Sequence, residues 1–225
     1  SVNLFSLELI QAVEQKVNVK LNKALLGKRL FFEKKLSKDN TISCASCHDI
    51  AKGGADNLKS SIGIDGKKGA LNSPTVLNSK YNFVQFWDGR AKDLTEQAIG
   101  PIHNPIEMGS KIEDVVQKLK SDQSYVLRFK DVYDDIIRPK YIINAIVEFE
   151  KALVTPNAKF DLYLKGNKDI LTKDEKDGYE LFKSYGCISC HNGINIGGNL
   201  FQKMGILKQP SYDSKEYLGR YNVTK

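Results

Sequence analysis

The chain has few of the residue types that usually bind metals or form cross-links. Its 225 residues include four cysteines, three histidines, two methionines and one tryptophan. It also lacks an apolar run long enough to span a bilayer, so we expect no membrane-spanning segment. No signal peptide stands at its start, and Ser1 is an unusual first residue for a primary translation product. We therefore expect a mature or trimmed chain.

Acidic residues are fewer than basic ones. Lys and Arg outnumber Asp and Glu by 34 to 27, which gives a formal net charge of +7. Aromatic residues are not interleaved with the basic ones, so the pattern is a poor match for a nucleic-acid-binding protein. A basic surface favours solubility and can steer an acidic partner toward the protein. The same composition is typical of a solvated surface that has no partner.

All four cysteines fall in two copies of one motif, C-x-x-C-H. The copies are Cys44-Ala45-Ser46-Cys47-His48 and Cys187-Ile188-Ser189-Cys190-His191. This motif is the attachment signature of a c-type haem: each thiol adds to a vinyl group, and the histidine becomes an iron ligand. The spacing lets both thiols reach one porphyrin, with the next residue beneath the iron. We therefore predict two covalently bound haems, attached through Cys44, Cys47, Cys187 and Cys190, with iron ligands His48 and His191.

Other chemistries of paired cysteines fit this pattern less well. A redox dithiol needs only C-x-x-C and usually lies in a βαβ context, which the sequence does not show. A zinc site made of two C-x-x-C pairs usually has them close together, whereas these lie more than half the chain apart. Two structural disulfides would leave both adjacent histidines unexplained.

Apolar residues recur with helical spacing over most of the chain. The periodicity predicts helices near residues 4–17, 21–36, 94–99, 112–119, 125–132, 139–153 and from residue 173 onward. Gly100-Pro101 is predicted to end one helix, and Pro139 to begin another. Thr172-Lys173-Asp174-Glu175 has the pattern of a capping box. No segment alternates like a strand hairpin, so the predicted fold class is mainly α.

Two cytochrome c-like haem domains with long loops are the expected organisation, because a covalently attached porphyrin supplies part of each core. The N-terminal haem domain is predicted to cover residues 17–155. The C-terminal haem domain is predicted to combine residues 1–16 with residues 156–225, and residues 156–169 are expected to form a linker. Each motif follows a predicted helix and precedes a glycine-rich loop.

Several further motifs carry a resemblance to a known family. Leu30-Phe31-Phe32 precedes the first haem motif, residues 69–78 read GALNSPTVLN, and residues 86–91 read FWDGRA. Other matches at the family's spacing are Gln97, Gly100-Pro101-Ile102, Glu107-Met108, residues 160–164 and residues 187–193. Together these segments resemble the bacterial dihaem cytochrome c peroxidases and their MauG-type relatives. The resemblance covers nearly the whole chain.

The resemblance implies roles for individual residues. The haem of the first motif is implied to bind and cleave peroxide, with Glu107 on its distal side as acid/base catalyst and Gln97 nearby. Trp87 is implied to lie between the haems on the electron route, and Asn72 to contribute to an inter-domain calcium site. The haem of the second motif is implied to accept electrons. Cleavage of peroxide needs a proton moved between its two oxygens, which a carboxylate can perform.

The loop at residues 61–69 departs from the family's pattern. Many relatives carry a histidine there that caps the peroxidatic haem in the resting oxidised state, whereas this chain has Ile64 and Asp65 at the corresponding positions. We therefore expect the N-terminal haem to be open, or water-bound, even when fully oxidised. His103 is the remaining histidine of the chain, and we expect it to be a polar residue near the pocket without a ligand role.

A second departure concerns the end of the sequence. Gly219-Arg220-Tyr221 and Val223-Thr224-Lys225 match the family, whose pattern then continues past Lys225. The sixth ligand of the second haem, a methionine in the peroxidases and a tyrosine in MauG, is expected in that continuation. Met204 does not stand at the family's ligand position, and we expect it to be a packing residue.

These observations predict a dihaem peroxidase that reduces hydrogen peroxide to water. Its electrons are expected from a small periplasmic donor, either a cytochrome c or a copper protein, entering at the C-terminal haem. A MauG-like oxidase that modifies protein side chains and a non-enzymatic electron carrier are the alternatives. Because c-type haem is attached outside the bacterial cytoplasm, a periplasmic location is expected. Family members are often homodimers, although the sequence shows no interface signal.

Overall fold

The structure is a computed structural model, and it describes residues 8–203 and 218–225. These ranges contain isolated β-bridges but no strand, which confirms the predicted mainly α class. No helix within them is long and apolar enough to cross a membrane. The α-helices of the described ranges are α1 (Leu21–Phe31), α2 (Cys44–Cys47), α3 (Leu94–His103), α4 (Ile112–Lys120), α5 (Gln123–Tyr133), α6 (Pro139–Ala152), α7 (Lys159–Leu164), α8 (Lys173–Ser184) and α9 (Tyr221–Thr224).

The described residues divide into two compact units, each of which contains one of the two haem motifs. The first-motif unit comprises residues 18–80, 84–153 and 218–225. The second-motif unit comprises residues 8–17, 81–83 and 154–203.

The first-motif unit is built on the crossing of α1 and α6, the helix pair with the most extensive contacts. Gly27 allows the close approach, because a Cβ atom at this position would lie 1.8 Å from the carbonyl oxygen of Ala145. Beside it, the rings of Phe31 and Phe149 pack edge to face with centroids 5.3 Å apart. The crossing therefore depends on a residue without a side chain at its centre.

The remaining core of this unit comes from α3, α4 and α5. The predicted apolar face of α4 is confirmed, since Ile112, Val115, Val116 and Leu119 are all buried. Pro139 begins α6 as predicted. At α3, however, the predicted end at Gly100-Pro101 is wrong, and the helix continues to His103. The last turn holds because the Asn104 N–H still donates to the Gly100 carbonyl at 3.0 Å.

The second-motif unit differs from the sequence prediction at its start. Residues 8–17 are not helical, and residues 4–7 lie outside the described ranges. Tertiary bonds take the place of helical ones: the Gly193 N–H donates to the Leu9 carbonyl at 2.8 Å, and the Val13 N–H donates to Asp161 Oδ1 at 2.9 Å. The predicted linker also contains the short helix α7.

The predicted capping box at the start of α8 is confirmed. The Glu175 N–H donates to Thr172 Oγ1 at 3.3 Å, and Glu175 Oε2 accepts the Thr172 N–H at 2.7 Å. The exposed helix that follows buries Tyr179 against Phe160, with ring centroids 5.0 Å apart. This helix delivers the chain to the second haem motif.

Candidate functional site

The first haem motif forms a single helical turn, α2. Ser43 and Ser46 make a capping box at its start, and the Ser43 N–H donates to Ser46 Oγ at 3.0 Å. At its end the His48 N–H donates to the Cys44 carbonyl at 3.0 Å. One turn therefore holds Cys44 and Cys47 and is closed by the histidine that follows them.

The imidazole of His48 is oriented by the backbone. Its Nδ1 lies 3.3 Å from the carbonyl oxygen of Gly54, a distance at which Nδ1–H donates a hydrogen bond. Burial lowers the pKa of His48, while the backbone at Gly54 and Pro74 opposes this shift. A neutral imidazole that donates through Nδ1 keeps Nε2 available for a metal, which is the arrangement expected of an iron ligand.

The two thiols of this motif are unsuited to dithiol redox chemistry. Burial raises the pKa of Cys44 to about 12, with a further contribution from the charge of Glu150. Burial likewise raises the pKa of Cys47 to about 11. Redox-active cysteines have pKa values below that of a free thiol. These thiols therefore resemble attachment points rather than a redox pair.

The motif opens into a cavity of about 300 Å³ that lies entirely within the first-motif unit. Cys44, Cys47 and His48 are half-buried because they face this space. The helix α3 contributes one face to the cavity, with Leu94, Gln97, Ala98 and Pro101 spaced as one helical stripe. The structure thus places the predicted residue Gln97 at the same cavity as the first motif.

Glu107 also lines the cavity, in the turn between α3 and α4. Burial raises the pKa of Glu107, while a hydrogen bond from Asn104 and the charge of Arg90 oppose the shift. The Asn104 side-chain amide donates to Glu107 Oε1 at 2.6 Å. A carboxyl group with a raised pKa at a cavity wall is suited to exchange a proton with a bound molecule.

The loop at residues 61–69 supports the Glu107 turn. The Ile64 N–H donates to the Glu107 carbonyl at 2.8 Å. A Cβ atom at Gly63 would lie 2.0 Å from the Ile106 carbonyl oxygen, so the two backbones can be this close only at glycine. The side chain of Ile64 is buried, and it packs under Gly109. Loop and turn therefore form one packed structure.

Trp87 lies at the rim of the cavity with 57% of its surface exposed. Its indole Nε1–H donates to the carbonyl oxygen of Asn72 at 3.0 Å. The preceding residue, Phe86, has a φ of +66°, in a region that bulky residues rarely occupy. Its ring packs against Gly100 and the guanidinium of Arg90. This strained turn holds the indole at the surface. An aromatic side chain in an apolar sequence is usually buried instead.

The second haem motif has similar local geometry. The His191 N–H donates to the Cys187 carbonyl at 2.9 Å, and His191 Nδ1 lies 3.2 Å from the Ile196 carbonyl oxygen. Cys187 and His191 are exposed, and Cys190 is half-buried. Both motifs therefore present a histidine held through Nδ1. Met204 lies outside the described ranges.

The cavity also contains polar residues for which the sequence predicts no role, among them Ser79, Arg90, Asn104 and Glu150. Ser79 Oγ and Glu150 Oε2 are buried without a hydrogen-bond partner in the described part of the chain. Because buried polar atoms are normally hydrogen-bonded, a bound group or ordered water is expected to satisfy them. Glu150 had a signal in the sequence, since it follows Ile142, Ile143, Ile146 and Phe149 on an otherwise apolar helix face.

His103 is not among the residues that line the cavity. Its Nε2 accepts the Ile112 N–H at 3.3 Å, at the start of α4. Its ring nitrogen thus helps to cap a helix.

Asn72, the predicted calcium ligand, has no cluster of acidic side chains beside it in the described part of the chain. Asn72 is exposed, and its carbonyl oxygen already accepts the indole N–H of Trp87. Within the described ranges no three His, Cys, Asp or Glu side chains are grouped to hold a metal. Calcium at Asn72 therefore stays a prediction.

A haem, in contrast, fits the cavity of the first motif. Two cysteines share one helical turn, a neutral histidine follows them, and partnerless buried oxygens line the same space. Cys44, Cys47 and His48 would hold the haem there, as Cys187, Cys190 and His191 would at the second motif.

Comparisons with known proteins agree with these features. Residues 21–169 match the family described as di-haem cytochrome c peroxidase. Cytochrome c551 peroxidase of Nitrosomonas europaea is 48% identical over 219 residues, which are 96% of this chain and 65% of the relative. Cytochrome c peroxidase Ccp of Escherichia coli is 44% identical over 221 residues, which are 97% of this chain and 48% of the relative. The chain thus spans about half to two thirds of the length of these relatives.

A solved structure has a fold similar to that of this chain. It is described as a MauG-like protein associated with microbial copper homeostasis, and it superposes with a TM-score of 0.76 at 25% identity. The match covers 100% of this chain and 71% of that chain. More than half of the sequence lies within the region matched by the family, and the relatives above are peroxidases by name. The chain belongs to the di-haem cytochrome c peroxidase family.

Proposed function

We propose that the protein is a dihaem c-type peroxidase that reduces hydrogen peroxide to water. The observation that carries this proposal is the meeting of Glu107 and Gln97 with the first haem motif at one cavity. The names of the relatives support the same activity. When bound, the haem supplies an iron centre and electrons for the reduction of peroxide.

The residues of the cavity then move the proton. Glu107 takes a proton from one peroxide oxygen and returns it to the other, so that the leaving oxygen departs as water. Its raised pKa favours this cycle, because the carboxyl group holds a proton more readily than an exposed glutamate does. Asn104 holds Oε1 of Glu107, and Gln97 supplies an amide that orients the peroxide. This proton transfer is worth ~10²–10⁴-fold in rate.

We further propose that electrons enter at the haem of His191 and pass to the haem of His48, with Trp87 on the route. The donor is a small periplasmic cytochrome c or copper protein with an acidic face. The net charge of +7 supports an acidic partner, since complementary charge accelerates encounter. A periplasmic location and a homodimer are part of the same proposal.

The N-terminal haem is proposed to be open in the fully oxidised protein. The loop at residues 61–69 contains no histidine, and Ile64 packs under Gly109 rather than lining the cavity. Electron paramagnetic resonance of the oxidised protein tests this proposal. We expect a high-spin signal from the haem of His48, and a spectrum with low-spin haem alone would contradict it.

A steady-state assay of the haem-loaded chain with hydrogen peroxide and a reduced cytochrome c tests the activity. A peroxidase oxidises two molecules of one-electron donor for each peroxide consumed. A MauG-like oxidase would instead consume peroxide and leave an oxidised side chain on a protein substrate. An electron carrier would exchange electrons with the donor and consume no peroxide. Glu107 at the cavity favours either enzyme over the carrier, because a carrier needs no acid/base residue there.

A further inference from the structure

Glu150 is a buried acid that the proposed peroxidase mechanism does not use. It lies on α6 at the cavity wall with 6% of its surface exposed. Its Oε2 has no hydrogen-bond partner within the described part of the chain. Cys44 lines the same cavity, and the charge of Glu150 contributes to the raised pKa of its thiol.

Among the described residues, no cation lowers the pKa of this carboxyl group. The other titratable groups that line the cavity, besides the two thiols, are His48, Arg90 and Glu107. None of them contributes to the shift at Glu150, where burial alone raises the pKa to about 8. A buried carboxylate without a partner is costly, so the protonated acid is favoured unless a positive charge lies nearby. Its ionisation is thus decided by whatever charge occupies the cavity.

We propose that Glu150 is a redox-linked proton site: its carboxylate binds one proton from solvent with each electron that enters the haem of the first motif. The proton returns to solvent when that electron leaves. Each electron comes from the donor protein and is withdrawn by peroxide, so charge and protons balance over the cycle. The coupling is electrostatic, because an added electron makes the cavity more negative and favours the neutral acid.

This inference rests on the haem attachment proposed above, and not on peroxidase activity. Glu150 has one pKa in the oxidised protein and a higher one in the reduced protein. The inference predicts that the reduction potential of the haem of His48 falls as the pH rises from the first value to the second. At a fixed applied potential, the ratio of reduced to oxidised haem then falls by up to tenfold per pH unit. Outside this range, Glu150 contributes no dependence on pH.

The test is a spectroelectrochemical titration of the haem-loaded chain from pH 5 to pH 10, with infrared difference spectra of the reduced and oxidised protein. In the wild type, a carboxylic acid C=O band should gain intensity on reduction and shift in heavy water. Glu150→Gln should lose this band together with the pH-dependent part of the ratio. Glu113→Gln, an exposed charge change on α4, is the matched control and should behave as the wild type.

Haem loading is read separately from the optical spectrum. A Glu150→Gln protein that carries both haems and keeps the wild-type pH dependence overturns the inference. If that variant does not load haem, Glu150→Asp decides: it retains an acid, so the pH dependence should persist at a displaced pH. A wild-type protein with both haems and no acid band in its difference spectrum also overturns the inference, whatever its peroxidase activity.

Discussion

The two haem motifs share a local conformation, but they differ in their surroundings. In each motif the histidine N–H closes a turn onto the first cysteine, and Nδ1 lies near a backbone carbonyl oxygen. Around His48 a cavity collects two carboxyl groups, four side-chain amides and a guanidinium. Cys187 and His191, in contrast, are exposed in the described structure. The motif therefore specifies attachment, and the surrounding residues decide what an attached haem can do.

The contrast extends to electrostatics. Burial raises the pKa values of Cys44, Cys47 and Glu107, and it lowers the pKa of His48. It therefore favours the neutral form of every one of these groups. Such a concentration of perturbed groups is typical of a reactive site. Reactive chemistry is accordingly expected at the first motif, which agrees with the proposal that electrons enter at the second.

The largest expected effect tests the reactive role of the first cavity. Glu107→Gln should lower the rate of peroxide cleavage by ~10²–10⁴-fold, because the amide cannot shuttle a proton. Stopped-flow mixing with peroxide measures the rate, and the optical spectra should show both haems still attached. The exposed Glu113→Gln change is the matched control and should retain the wild-type rate. Equal rates of peroxide cleavage in both variants would contradict the catalytic role of Glu107, and with it the reactive role assigned to the first motif.

A second prediction compares glycines in the two units. Gly27→Ala places a Cβ atom 1.8 Å from the Ala145 carbonyl oxygen, so α1 and α6 must separate. The free energy of unfolding should fall by about 3 kcal/mol or more. Gly178→Ala in α8 meets nothing within 4 Å, and it should raise the free energy of unfolding by ~0.5–1 kcal/mol. Urea denaturation followed by circular dichroism measures both, and equal losses would contradict the proposed packing difference.

A third prediction concerns the amide that holds Glu107. Asn104→Ala removes the hydrogen bond to Oε1, and this bond lowers the pKa of Glu107. The pKa of Glu107 should therefore rise further. The acid limb of kcat/KM against pH should move to higher pH, because the ionised base appears later as pH rises. Asn167→Ala, an exposed change in the second-motif unit, should leave the profile in place. An unmoved profile in both variants would exclude Glu107 as the titrating base.

The smallest expected effect lies in the helix that leads to the second motif. Thr172→Ala removes the side-chain oxygen that accepts the Glu175 N–H at the start of α8. The free energy of unfolding of this unit should fall by ~1 kcal/mol, whereas Thr172→Ser should retain most of the stability. Thermal denaturation measures the difference. The rate of peroxide cleavage should be unchanged. A large loss of activity would show that cleavage at the first motif depends on the stability of the second-motif unit.

Local signals determined much of the fold. The apolar face of α4, the proline start of α6 and the capping box of α8 are all confirmed, because each depends on residues within a turn or two. The segment at residues 8–17 was predicted incorrectly because its backbone bonds to Gly193 and Asp161, which are distant in sequence. The end of α3 was misplaced because a proline removes only one helical hydrogen bond.

The C-x-x-C-H spacing predicts the haem-attachment residues, because it brings two thiols and a histidine to one turn, and the longer motifs indicate the family that the comparisons confirm. The resemblance also indicates Gln97, Trp87 and Glu107. The packing of distant segments places these side chains at one cavity and adds Asn104 and Glu150 to them, which local spacing could not predict. The physical reason is that burial and hydrogen bonding, which control the pKa of a carboxyl group, arise from contacts between segments far apart in the chain. The same motif therefore lies in a cavity in one unit and on an exposed surface in the other.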